Sequence, residues 1–152
     1  MKRFWQLQTL LLCFLTATIG FSMQGNEKWL GTWKMNPAKS KFSPGPPDRE
    51  WTLQFDKIAE GIKLTSSGIN GQGEKRTYSF VSRFDGTEVP WVGNPSVDAC
   101  APLRMSDNLY VNIAKKGGKL LQIVRVEVSQ DGKTLTVIQT GNVDNLVVYD
   151  RK

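Results

Sequence analysis

Trp29-Leu30-Gly31-Thr32-Trp33-Lys34-Met35-Asn36 decides how the rest of this chain is read. Side chains alternate along a strand, so Gly31, Trp33 and Met35 share one face while Thr32, Lys34 and Asn36 share the other. A glycine two residues before a tryptophan lets another part of the chain come close, and the indole then plugs the base of a core. Everything downstream reads as strands that wrap round to bury Trp33.

The stretch is followed by a Pro- and Gly-rich connection from Pro37 to Asp48, in which Pro44, Gly45, Pro46 and Pro47 forbid helix and discourage strand. It reads as an extended, surface-hugging loop with Lys39 and Lys41 in solvent and Phe42 tacking it to the body. From Glu50 onward, strands and turns follow each other. Trp51, Leu53 and Phe55 alternate with Thr52, Gln54 and Asp56; Ile62 and Leu64 alternate with Lys63 and Thr65; Tyr78, Phe80, Ser82 and Phe84 share a face. Asn70-Gly71, Asp85-Gly86, Lys116-Gly117-Gly118-Lys119 and Asp131-Gly132 are turn signals. Pro90 makes Glu88–Val92 an edge or a bend, Pro102 does the same for Val97–Met105, and Asp107-Asn108 turns the chain into Leu109, Val111 and Ile113. Closely spaced turns with no helix between them predict an all-β fold. A meander leaves its two terminal strands as sticky edges unless they pair. The last segment, Asn145–Arg151, is apolar on both faces, so it is expected to pair with the Trp33 strand. The expected result is a single antiparallel meander barrel of about eight to ten strands, with no substantial helix after the leader.

That leader lies upstream. Lys2 and Arg3 precede an apolar run from Leu10 to Phe21, with small residues Gly20 and Ser22 at its exit. This is the layout of a secretory signal peptide, and it is short for a membrane span of roughly 20 residues. Residues 1–22 are expected to be removed after Ser22, leaving a barrel domain over 23–152 that is exported to a periplasm or the extracellular space, monomeric and without a membrane span. The other reading is an uncleaved N-terminal anchor. Cys13 follows Leu12, where lipoprotein processing needs a small residue, and it leaves with the leader. Cys100 is then the single cysteine of the mature chain, read as a small buried hydrophobe rather than a reactive thiol.

The totals exclude several functions. At 152 residues with 39% apolar content the chain suits one folded domain. Its net charge is +6, and without Lys2 and Arg3 there remain 18 basic against 14 acidic residues, scattered along the chain. No nucleic-acid partner is expected from such a balance. With no histidine in the sequence, histidine triads and histidine metal sites are impossible. The acids Asp85, Asp107, Asp131 and Asp144 sit in turns, where carboxylates serve local backbone hydrogen bonds. No catalytic residue, metal or cofactor is expected, and the chain reads as a binding protein rather than an enzyme.

If Trp51, Phe55, Tyr78, Phe80 and Phe84 face inward, the barrel could hold one apolar or aromatic molecule; the alternative is that the rings fill it. Gln122 shares a face with Val124 and Val126, and Gln139 with Leu135 and Val137, so buried amides would point to a ligand or water. Arg104 and Arg125 are the candidates for pairing a ligand carboxylate, or else surface charges partnering Asp107 or Glu127. Trp91, between Pro90 and Gly93-Asn94-Pro95, reads either as a rim contact or as a lid over one end of the barrel.

Gly31-Thr32-Trp33-Lys34, together with Val148-Tyr149-Asp150-Arg151, resembles the two ends of lipocalin and fatty-acid-binding-type barrels. The resemblance implies that Gly31, Trp33, Tyr149 and Arg151 close the barrel, with the Arg151 guanidinium over the Trp33 indole. The run Trp33–Phe42, with Phe84-Asp85-Gly86, Gly93-Asn94-Pro95 and Lys115–Lys119, resembles small exported bacterial proteins of unassigned function described as lipocalin-like. The inward aromatic face and the missing catalytic groups lead to the expectation of a carrier of a small hydrophobic or aromatic molecule that does not transform it. The competing expectation is an envelope or extracellular interaction module with a solid barrel, contacting a protein through Pro44–Pro47 and Trp91. Fatty-acid-binding barrels carry a helical lid where this chain has its Pro-rich loop.

Overall fold

Alternation is realised along almost the whole chain. The computed structural model describes residues 26–152, so the expected leader, its cleavage site and Cys13 lie outside the described residues. The strands are β1 (Gly31–Met35), β2 (Glu50–Ile58), β3 (Gly61–Ile69), β4 (Lys75–Ser82), β5 (Val89–Pro90), β6 (Ala99–Arg104), β7 (Leu109–Lys116), β8 (Lys119–Val128), β9 (Thr134–Gly141) and β10 (Asn145–Arg151). All pair antiparallel in one sheet of order β4-β3-β2-β1-β10-β9-β8-β7-β6-β5. Among the described residues the helical content is a single 3₁₀ turn, Pro37–Lys39, and no helix is long and apolar enough to cross a membrane.

The terminal strands pair as expected. Trp33 lies opposite Arg151 and Met35 opposite Tyr149. This moves the open edges of the sheet to β4 and β5, in mid-chain, where few hydrogen bonds complete the ring. Ser79 and Val92 exchange backbone bonds of 3.0 and 2.8 Å, the Arg104 N–H donates to the Phe84 carbonyl, and the Gly86 N–H donates to that of Pro102. The two-residue β5 is the short edge that Pro90 requires.

Inside lie Trp33, Met35, Trp51, Leu53, Phe55, Ile62, Leu64 and Phe80 from one half of the barrel, with Tyr110, Val124, Val126, Val128, Leu135, Val137, Val147 and Tyr149 from the other. One strand presents an unforeseen face. On β7, Tyr110, Asn112 and Ala114 point inward and are buried, whereas Leu109, Val111 and Ile113 are on the outside. The apolar residues named by the sequence there decorate the surface.

The connection from Pro37 to Arg49 forms a strap. It runs beside β10, with Lys41 and Leu146 exchanging backbone bonds of 2.7 and 2.9 Å and Asp144 donating to Ser43. Phe42 packs on the core as expected. The strap then reaches the β3–β4 hairpin, where a Cβ on Gly71 would lie 2.6 Å from the Pro46 carbonyl oxygen. Gly71 thus serves the close approach of the strap, and the positive φ of the turn falls on Gly73.

Candidate functional site

The barrel has two unlike ends. At the first, where the β2–β3, β6–β7 and β8–β9 turns lie, rings fill the interior. Trp29 packs on Phe84 and Tyr110 with centroids 5.7 and 5.2 Å away, Phe84 lies 4.8 Å from Tyr110, and Phe55 completes the group. Trp33 donates from Nε1 to the Trp29 carbonyl at 2.7 Å. The Arg151 guanidinium stands 4.1 Å over the Trp33 ring. It also donates to the carbonyls of Gly132, Leu30 and Lys28 at 2.7, 3.0 and 2.5 Å. Gly31, at φ +109°, leaves room for it: a Cβ there would sit 3.2 Å from Arg151 Nη1. Arg104 pairs with Glu27 at 3.0 Å and with Asp107. These charges share with Phe84, Leu103 and Met105 a half-open hollow of about 740 Å³ on the outside of this end.

At the other end rings pair at the rim and a cavity of about 80 Å³ opens beneath them. Leu53, Leu64, Val124, Val126 and Val137 form its apolar wall, and Ser66, Tyr110, Asn112, Gln139 and Tyr149 supply its polar groups, with Trp91 closing one side. Trp91 is the single lining residue off a strand. It packs edge-on against Phe80, with centroids 5.5 Å apart. This is the lid reading of Trp91, in a partly buried ring.

Two polar atoms here have no hydrogen-bond partner among the described residues: Asn112 Oδ1 and Trp91 Nε1. Leaving a buried donor or acceptor unpaired costs about 1–3 kcal/mol. Trp29 Nε1 and Glu27 Oε2, towards the ring-filled end, are unpaired as well, but neither borders this cavity. Asn112 is 2% exposed, and its side chain hydrogen-bonds the Cys100 thiol. Burial pushes that thiol up to about 12, so Cys100 stays protonated. Burial likewise pushes the Tyr110 and Tyr149 phenols well above their ordinary range, keeping both as neutral donors. Ser66 Oγ accepts from Trp51 Nε1 at 2.6 Å. At the rim, burial raises the Asp48 carboxyl above its usual range against the hydrogen bond it accepts from the Gly71 backbone.

The aromatic and charged candidates named from sequence do not line this cavity. Trp51 stands behind it, holding Ser66 and packing on Tyr78 at 5.6 Å. Phe80 backs Trp91, whereas Phe55 and Phe84 belong to the ring-filled end. Gln122 is buried on the inward face of β8, outside the lining. Arg125 points outward and pairs with Glu127 at 2.7 Å, and Arg104 is held by its own ion pairs. Neither arginine reaches the interior; both are charges paired with Asp107 and Glu127, the other reading the sequence offered for them. The physical reason is volume. Large rings occupy space, and space remains where the inward residues are Val, Leu, Ser and Asn. Asn112 was the missed residue; its signal was the lone amide between Tyr110 and Ala114, on the face that the apolar pattern of β7 had hidden. Two of the four turn acids behave as expected: Asp85 accepts from the Thr87 N–H, and Asp131 from Ser129 and the Lys133 N–H, which holds both carboxyls below their usual range, whereas Asp107 pairs with Arg104.

No family model matches the chain, and no curated protein matches it. Solved structures do. A crystal structure of the wild-type fluorescent protein UnaG matches with a TM-score of 0.54 and 21% identity, over 83% of this chain and 98% of that one. A point mutant of the same protein matches with a TM-score of 0.54 and 16% identity, over 83% and 97%. The likeness is one of fold.

Proposed function

We propose that this chain is an exported, non-catalytic barrel that holds a small hydrophobic or aromatic molecule in its interior. The observation that carries the reading is the cavity beneath Trp91, whose wall is aliphatic and whose edge holds two buried polar atoms without partners. Lys2, Arg3 and the run Leu10–Phe21 support export. Turn carboxylates already engaged by backbone N–H groups favour binding over catalysis. Native mass spectrometry of protein purified from its host, with tryptophan-fluorescence titration by fatty acids and aromatic dyes, tests it. A copurifying small molecule or a saturable response is expected; neither appearing would remove the reading.

A second reading, an interaction module, is favoured by the outer face of β6–β9. Leu103, Ile113, Ile123 and Ile138 are 44%, 39%, 46% and 37% exposed there, an apolar band of the kind that marks protein contacts. Sedimentation velocity with and without envelope extract separates the two.

A further inference from the structure

The lining of the cavity discriminates among ligands by charge. Every polar group on it is neutral: the Asn112 and Gln139 amides, the Ser66 hydroxyl, the Trp91 indole N–H and the two phenols. Gln139 Oε1 already accepts from Asn145 Nδ2 at 2.8 Å. Asn112 Oδ1 and Trp91 Nε1 are the fully buried lining atoms left without partners. Arg104 and Arg125 are engaged elsewhere, on the surface. The charge that reaches the lining phenol of Tyr149 is that of Asp48, an acid that repels anions, whereas Arg76, with Asp48 and Glu74, acts on Tyr78, which is off the lining. A carboxylate entering this space would leave water for a site whose lining holds no cation.

We propose that the cavity takes an uncharged, mainly apolar molecule whose one polar group donates a hydrogen bond to Asn112 Oδ1 and accepts one from Trp91 Nε1, a neutral alcohol, phenol or amide rather than a fatty-acid anion. The proposal rests on the carrier reading and names its ligand class. Size adds a second element. A cavity of about 80 Å³ is smaller than the roughly 150 Å³ that accommodates benzene. A ring-sized ligand therefore needs the lining side chains to shift, with Trp91 Nε1 still facing it.

The test titrates the mature chain with benzyl alcohol, benzamide, toluene, benzoate and benzylamine at pH 7.5, read by tryptophan fluorescence and ligand-observed NMR. Benzamide is expected to bind at least about tenfold more tightly than benzoate or benzylamine, the scale of one or two net hydrogen bonds. Asn112→Leu should lower the affinity ratio of benzyl alcohol to toluene by about tenfold. Trp91→Phe, which keeps a ring but removes the donor, should lower it too. Thermal unfolding verifies that each variant is folded. Benzoate or benzylamine binding as well as benzamide, or an unchanged ratio in both variants, overturns the proposal. Saturable fatty-acid binding without any response to the neutral probes overturns it while leaving the carrier reading intact. No response to any probe, dye or fatty acid removes both.

Discussion

The two ends of this barrel are built from the same kinds of residue and do opposite things. Around Trp33, rings touch rings, the indole N–H is bonded, and Arg151 ties three backbone carbonyls to the base. Around Trp91, rings of equal size stand on the rim and aliphatic residues wall a small cavity below them. The difference teaches that aromatic content does not locate a pocket. An end is closed when large side chains converge on it from several strands, and hollow when those strands contribute short ones at the same height.

The contrast can be broken most sharply by truncating the two tryptophans. Trp33→Ala is expected to cost about 3–5 kcal/mol in urea unfolding, and Trp91→Ala under about 2 kcal/mol because its ring is only partly buried; equal costs would dissolve the distinction between the ends. Arg151→Ala should cost about 1–2 kcal/mol by losing its carbonyl bonds and the indole face, and Arg151→Lys should recover only part of it. At the hollow end the sign reverses. Asn112→Leu removes an unpaired acceptor and should stabilise the ligand-free protein by about 1 kcal/mol, measured by the same unfolding series. The smallest effect belongs to Asp48. Its folded carboxyl is raised, so the native state holds the proton more tightly; that contribution is present below the ordinary value of 3.8 and is lost as pH rises through the raised one. Asp48→Asn should therefore melt slightly higher than wild type at pH 7, with the gap closing below pH 4; a constant gap in Tm across that range would refute the burial of this carboxyl.

Much of the fold was legible because strands carry a period of two and turns carry their own residues. Trp51-Leu53-Phe55 and Tyr78-Phe80-Ser82-Phe84 point where alternation put them, and the apolar last strand pairs with the first. The face of β7 was misleading, since Leu109, Val111 and Ile113 are apolar yet outside. Only the neighbouring strands decide which side of a strand faces in.

The sequence alone determined an all-β chain whose first and last strands meet, because that follows from local alternation and from the need to cover edges. Tertiary structure alone decided where the barrel is hollow and which polar atoms are left without partners. A void is the remainder after side chains from many strands have been placed at one height, and no single segment of the chain contains it.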